Sequence, residues 1–356
     1  MIDSFYRIKA LGRLGIRIDL HCFEYGRPHS SELEEFCESV SYYSRATGPL
    51  THLSGYPYVV CSRRSKDLFR DILLDDYPIL FDGLHTTYYL DHPELAGRMK
   101  IVRVHNIEHR YYRNLEAAER NPFRKLFYRK ESFKLELYEE ILRKADKLLA
   151  ISPAGHEYFN ARYGNAELVL PFHPFEKVES RTGSGRYVLY HGDLSVNENL
   201  VIAELLVSEV FSHVALPCII AGKNPPADLA AKASPFNNIS IVANPDESKM
   251  SELIREAHIN ILPALSSEGM KLRLLFALFS GRHCIANSMI AGNTGLESLC
   301  HIADTPAEMT GKIQLLMNQD FTYEMIRERE KVLCQMFSNK NNAEKIFSLI
   351  FATKTS

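Results

Sequence analysis

Short apolar runs alternate with longer amphipathic stretches along most of this chain, the pattern of parallel α/β sheets whose strands are covered on both faces. In the first half, the runs Ile16–Cys22, Tyr58–Cys61, Ile79–Phe81, Ile101–His105, Leu148–Ile151 and Leu168–Leu170 predict strands. Helices are expected over Asp3–Arg13, over Ser31–Tyr43, where Ser31 and Glu34 suit a capping box, and over Lys66–Leu74. The longest expected helix is Pro122–Ala145, with Asn121 as its cap and Pro122 at the first helical position. A break follows at Pro171-Phe172-His173-Pro174, and the polar stretch Glu176–Arg186, with Gly183 and Gly185, reads as a linker. The alternation then restarts, with strands at Tyr187–His191, Cys218–Ala221, Ile239–Val242, Ile259–Leu262 and His283–Asn287. Helices are expected at Glu198–Phe211, Ser248–Ala257, Met270–Ser280, Pro306–Met317, Tyr323–Phe337 and Ala343–Phe351.

These elements predict two doubly wound parallel-sheet domains, over 1–172 and 187–335, joined by a linker at 173–186. The segment 336–356 is a C-terminal helix placed to pack back on the first domain. A ligand cleft is expected where the carboxyl ends of the two sets of strands face each other. A doubly wound domain ordinarily opens with a strand, whereas this chain opens with a helix, so the first domain is expected to lack its initial strand.

Composition narrows the class. With 356 residues, 46% hydrophobic and 24% charged, the chain has material for two cores. A net charge of −2 gives no global basic field, which argues against a nucleic-acid partner. The seven cysteines are scattered and form no C-x-x-C pair, as expected of reduced thiols in a cytoplasmic protein rather than of a disulfide framework or zinc site. The longest apolar stretches, such as Val214–Ala221, are too short to span a membrane, and Met1–Tyr6 shows no signal-peptide core. Around the longest helix, Arg110, Arg113, Arg120, Arg124, Lys125, Arg129, Lys130 and Lys134 are interleaved with Tyr111, Tyr112, Phe123, Phe127, Tyr128 and Phe133. Most of those aromatics are expected in the core. The basic exterior suits either a solvated face or peripheral contact with the anionic inner membrane.

Candidate chemistry collects at strand ends. After Ile259–Leu262 comes Ser266-Ser267-Glu268-Gly269-Met270-Lys271-Leu272-Arg273. A turn of small polar residues that opens a helix presents backbone N–H groups and the positive dipole end to an anion. Lys271 and Arg273 oppose that dipole, which suits a bound phosphate as well as two solvated cations on a serine-capped helix. Gly192 in Tyr190-His191-Gly192-Asp193 and Lys223 in Ala221-Gly222-Lys223 repeat the strand–glycine–helix turn, and together the turns suit a nucleotide diphosphate. No Walker or G-x-G-x-x-G pattern and no convincing metal cluster is present. In the first half, His105, Glu108 and His109 follow one strand and Asp82-Gly83-Leu84-His85 the preceding one. His105 is a candidate acid or base near neutral pH, and His85 and Glu108 are further candidates at the same strand ends.

The order of these motifs resembles the retaining GT-B glycosyltransferases of the glycosyl transferases group 1 (family 4-like) superfamily. The likeness runs from His105-Asn106-Ile107-Glu108 through Tyr138-Glu139-Glu140, Ala145-Asp146 and Ile151-Ser152. It continues at Gly192, Ala221-Gly222-Lys223 and Glu268-Gly269-Met270-Lys271-Leu272-Arg273 through Gly281-Arg282. The nearest likeness is to a bacterial envelope-polysaccharide subgroup with a G-I-K-x-K type helix start. The resemblance implies two Rossmann-like domains facing a cleft, and transfer of a hexose from a nucleotide-sugar donor to a glycan or lipid-linked acceptor without a metal. It places donor diphosphate at Gly192, Lys223, Gly269, Met270, Lys271 and Arg273, with His105 and Glu268 at the donor sugar and His85 and Glu108 on the acceptor side. The family's second acidic residue is replaced by Phe276 here. That departure, and the helical start, leave open a GT-B-like protein that binds a partner or glycan without turnover.

Overall fold

The computed structural model describes residues 2–26, 29–119, 121–266 and 272–351. They form two units, Met1–Pro174 with Phe337–Ser356, and Phe175–Met336. Among the described residues no helix is long and apolar enough to cross a membrane.

The first unit holds a short parallel pair, β1 (Asp19–Phe23) and β2 (Ser39–Tyr43). Its main sheet is β3 (Ile79–Asp82), β4 (Lys100–Val104), β5 (Lys147–Ala150) and β6 (Ala166–Leu168), all parallel and in sequential order. Alternation along β4 sorts the core. Val102 and Val104 join Leu135, Leu142 and Leu148 on one face. Ile101 turns the other way, with Leu149, Val169 and Phe172, onto Leu11 of the opening helix Ile2–Arg13 and Ala343 and Ile346 of the helix Asn339–Phe351. Arg103 shares Ile101's face and is fully buried, so its charge needs a partner there. Asp3 supplies it: Arg103 Nε and Nη2 donate to the two Asp3 oxygens at 2.8 Å each, and Phe172 N–H donates to Asp3 Oδ1 at 2.8 Å.

Two expected elements are corrected. Ser31–Tyr43 is not a helix but a single 3-10 turn, Ser31–Leu33, followed by β2. The stretch Ser39-Val40-Ser41-Tyr42-Tyr43 pairs in register with β1 from Asp19↔Ser39 to Phe23↔Tyr43, and that ladder outweighs the local cap. Conversely, Tyr58–Cys61 is a helical turn and not a strand. Its first N–H, on Tyr58, is taken by the buried carboxylate of Glu131 at 2.5 Å, a partner brought from 73 residues away. Asn121 does cap the long helix, accepting from Phe123 and Arg124 N–H, but that helix ends at Tyr138 and continues as 3-10 turns to Lys144. Of the aromatics expected in the core, Tyr112 packs against the buried cluster and Phe127 and Tyr128 are half-buried, but Phe123 and Phe133 are not core. Phe123 is 83% and Phe133 63% exposed, while the buried positions are Glu131, Ser132 and Leu135.

The second unit is one six-stranded parallel sheet: β7 (Val188–Asp193), β8 (Cys218–Lys223), β9 (Ile239–Ala243), β10 (Ile259–Leu262), β11 (His283–Ala286) and β12 (His301–Ile302). The order β12-β11-β10-β7-β8-β9 reverses direction between β7 and β10, which makes that pair the topological switch point. Residues of the expected linker are bonded into this unit. Gly183 and Phe321 exchange backbone hydrogen bonds, and Glu179 and Arg186 N–H donate to Phe279 and Glu256 carbonyls.

Breaking the buried pair in the first unit gives a direct test. Asp3→Ala strands the Arg103 charge and is expected to cost about 3–5 kcal/mol in urea unfolding. The double change Asp3→Leu with Arg103→Met, which removes both charges, is expected to recover most of that loss.

Candidate functional site

At the switch point of the second unit, β7 leads through Gly192 into the helix Asn197–Leu205, and β10 leads through Pro263 toward the helix Leu272–Ser280. Arg273, in the first described turn of the latter helix, reaches across both. Its Nη1 donates to Asn199 Oδ1 at 3.0 Å and Tyr190 Oη at 3.3 Å, and its Nη2 to the Pro263 carbonyl at 2.8 Å. The buried Nε has no partner, and among the described residues no carboxylate pairs with this guanidinium. Gly192 makes the approach possible, since a Cβ there would lie 3.3 Å from Arg273 Nη1. Gly222 is needed beside it because its Cβ would sit 1.9 Å from the Gly192 carbonyl oxygen.

His191 precedes Gly192 and is 5% exposed, with Nε2 lacking any hydrogen-bond partner. Burial, with Arg273's charge adding to it, pushes its pKa down to about 3, so the ring is neutral. Two of the N–H groups in the turn after β10 are occupied: Leu265 and Ser266 N–H donate to Glu198 Oε1 at 3.0 and 3.3 Å. Ser266 Oγ is buried with no partner among the described residues. Lys223 ends β8, exposed, opposite Asp193 of β7 in the ladder. Phe276, where the resemblance expects an acid, meets the Phe175 ring edge-on with centroids 5.1 Å apart. Glu268, Gly269, Met270 and Lys271 lie outside the described residues.

The first unit gathers a second set. Asp82 at the end of β3 and His105 just beyond β4 lie on the face covered by the opening helix. Arg7 Nη2 is 2.8 Å from Asp82 Oδ2, which also accepts from Ser4 Oγ at 2.7 Å. His105 Nε2 lies 3.1 Å from Asp82 Oδ1 and 3.9 Å from Asp3 Oδ2. Burial works to raise the Asp82 carboxyl pKa, but Arg7 and His105 outweigh it and hold the group well below the usual range. Asp3 moves the same way, with Arg103 and Arg7 overcoming its burial. Asp3, Asp82 and His105 are close enough to enclose a cation, yet both carboxylates are already bonded by arginines.

His85 folds back over Gly83, whose φ of +102° leaves no room for a Cβ: one would lie 2.4 Å from the imidazole. His105 acts electrostatically on both His85 and Glu108, so it is the residue that links these three predicted positions. Burial leads in raising the Glu108 carboxyl pKa. His109 is set apart, buried with Nδ1 3.3 Å from Glu139, which also accepts from Tyr158 Oη at 2.7 Å. Its role is in the core. Sequence reasoning missed Asp3, Arg7, Arg103, Glu198 and Asn199; the one visible signal was an arginine inside the apolar strand Ile101-Val102-Arg103-Val104.

Residues 185–319, which include the switch point, match the family described as Glycosyl transferases group 1. Over that segment the chain is similar to the group 1 glycosyltransferases. A Klebsiella pneumoniae protein named "Uncharacterized 44.6 kDa protein in cps region" is 25% identical over 313 residues, covering 83% of this chain and 80% of that protein. Among solved structures, sucrose-phosphate synthase from Thermosynechococcus elongatus superposes with a TM-score of 0.71 at 13% identity, covering 98% of this chain and 92% of that one. Anabaena Alr3699/HepE in complex with UDP and glucose gives 0.65 at 12% identity, covering 98% and 96%. At these identities the solved structures establish the fold alone, GT-B. The glycosyltransferase family domain thus contains Gly192, Lys223 and Arg273, while His85, His105 and Glu108 belong to the other unit.

The neutral, unpartnered histidine beside Arg273 predicts an acid sensitivity. In the unfolded chain His191 titrates near ~6.5. The stability tied to its neutrality is therefore fully present above that pH and lost as pH falls toward the folded value of about 3. His191→Gln is expected to reduce the slope of unfolding free energy between pH 6.5 and pH 4 by up to ~1.4 kcal/mol per pH unit, read from urea unfolding at a series of pH values.

Proposed function

We propose that the chain transfers a hexose, with retention and without a catalytic metal, from a nucleotide diphosphate sugar to a glycan or lipid-linked acceptor of an envelope or capsular polysaccharide. The observation that carries this reading is Arg273: a guanidinium at the sheet's switch point held by neutral oxygens alone among the described residues. A donor diphosphate would supply the missing negative charge. As the nucleotide leaves, its growing charge would be met by Arg273 and Lys223, with Lys271, Gly269 and Met270 closing the site. Fixed charge of this kind contributes several kcal/mol to a transition state (roughly 3–4 per donor group). The Klebsiella relative's place in a cps region supports the polysaccharide setting, and the UDP and glucose of the Anabaena structure support the donor class.

In the other unit, Asp82 and Arg7 hold His105 in place, which supports its role as the group that meets the donor sugar. Glu268 would face the sugar hydroxyls, with His85 and Glu108 on the acceptor side. A cytoplasmic site of action with peripheral contact to an anionic membrane face is supported by the long helix, where exposed Phe123, Leu126, Phe133 and Leu137 accompany Arg124, Lys125, Arg129 and Lys130. One observation favours a second reading, a GT-B-like binding protein without turnover: the ring contact of Phe276 leaves no acid where the family holds the ribose.

A thermal-shift screen against UDP-, GDP-, ADP- and CMP-linked sugars separates the two readings, because a ligand of the native state must raise the melting temperature. A shift with one base supports transfer. A flat result in a folded protein favours the second reading. Lys271→Ala is expected to weaken donor binding more than Glu268→Gln, and His105→Ala to lower kcat with a smaller effect on donor affinity. For the membrane contact, Phe123→Ser with Phe133→Ser is expected to lower co-sedimentation with phosphatidylglycerol vesicles.

A further inference from the structure

Tyr25 follows β1, Arg45 follows β2 and Arg63 follows the helical turn Tyr58–Cys61, so three separate connections of the first unit meet. Both guanidiniums lie against one phenol ring, with Cζ of Arg45 at 4.5 Å and Cζ of Arg63 at 5.1 Å from the Tyr25 centroid. Arg45 donates from Nη2 to Ser62 Oγ at 2.7 Å, while its buried Nε has no partner. Arg63 is 7% exposed and donates from Nη1 to the Val59 carbonyl. Among the described residues neither arginine is in an ion pair. His85, on which both arginines act, is neutral, its pKa pushed to about 3 by burial and then by Arg63, His105 and Arg45. Glu108 acts on Arg63 electrostatically but is not in an ion pair with it.

Magnitudes decide whether this is merely packing. Each cation–π contact contributes about 0.5–2 kcal/mol, whereas burying a guanidinium without a counter-charge costs several kcal/mol. Two such groups on one ring also repel each other. The arrangement is stable at lowest cost when an anion sits between the forks.

We propose that Arg45 and Arg63 form an oxyanion subsite that takes a phosphate group carried by the acceptor, bordered by Tyr25. The term acceptor rests on the glycosyltransferase reading; the anion subsite does not. Phosphate fits better than a carboxylate because two guanidiniums outside any ion pair among the described residues match a dianion, and planar forks of this kind offer paired N–H groups to tetrahedral oxygens. The exposed Tyr25 ring leaves the rim open to the rest of an acceptor.

Equilibrium dialysis of the full chain against labelled inorganic phosphate, with no nucleotide sugar present, tests it. The wild type is expected to bind one more equivalent than Arg63→Gln, and Arg45→Gln to weaken that site roughly 10- to 100-fold, the loss of a charge-assisted hydrogen bond. Any phosphate held at Arg273 is untouched by either change. Stoichiometry and affinity equal to wild type in both variants would overturn the proposal. If Arg63→Gln does not fold, Arg45→Gln at its half-buried position decides alone. Displacement of the label by methyl phosphate or by methyl diphosphate distinguishes a monoester from a diphosphate-linked acceptor; displacement by neither counts against the subsite. Phosphate binding here in a protein that binds no donor would keep the subsite and remove the transfer reading.

Discussion

The first unit depends on a guanidinium placed inside a hydrophobic strand. Arg103 is fully buried in β4, and a buried charge persists only with a partner and satisfied hydrogen bonds. Asp3 binds it bidentately, and the Val169 and Leu170 carbonyls accept its remaining donors at 3.2 and 3.3 Å. That one cluster ties the opening helix, the central strand and the segment leading to Phe172. Through Arg7 and Ser4 the same helix fixes Asp82, and Asp82 fixes His105. The electrostatics that hold the fold are therefore continuous with those that position the candidate histidine.

Buried arginines in the second unit are handled differently. Arg329, in the helix Tyr323–Met336, donates to the Leu278, Gly281 and Arg282 carbonyls and to Ser180 Oγ. Those carbonyls lie at the end of the helix Leu272–Ser280, where the dipole favours a cation. Arg273 sits at the other end of the same helix, against the dipole, with an unpartnered Nε. Among the described residues neither guanidinium meets a carboxylate; the difference is the helix end, which favours a cation at Arg329 and opposes one at Arg273. That setting, and not burial alone, supports the ligand role proposed for Arg273. Arg45 and Arg63 in the first unit are likewise outside any ion pair among the described residues.

Much of the second unit was legible in the chain because its strands are continuous apolar runs bounded by glycine and polar turns. Gly192, Gly222 and Arg273 stood out for the same reason: small residues and a cation at strand ends have few structural explanations. His105 was legible from its position after an apolar run. The departures lie where a distant residue decides the local state. Tyr58–Cys61 has strand composition, yet a carboxylate 73 residues away caps it as a helix. Ser39–Tyr43 reads as the end of an amphipathic helix until β1 offers a ladder.

By itself the sequence determined the class, the alternation of strands and helices and the turns that carry Gly192, Lys223 and Arg273, because periodicity and turn chemistry act over a few residues. Tertiary structure decided which charges are compensated. Asp3 meets Arg103 across 100 positions, Asp82 meets His105, and Glu198 takes the N–H groups of Leu265 and Ser266. Such pairings depend on which side chains share a buried face. Desolvation gives each pairing its strength, and burial exists only once the sheets are assembled.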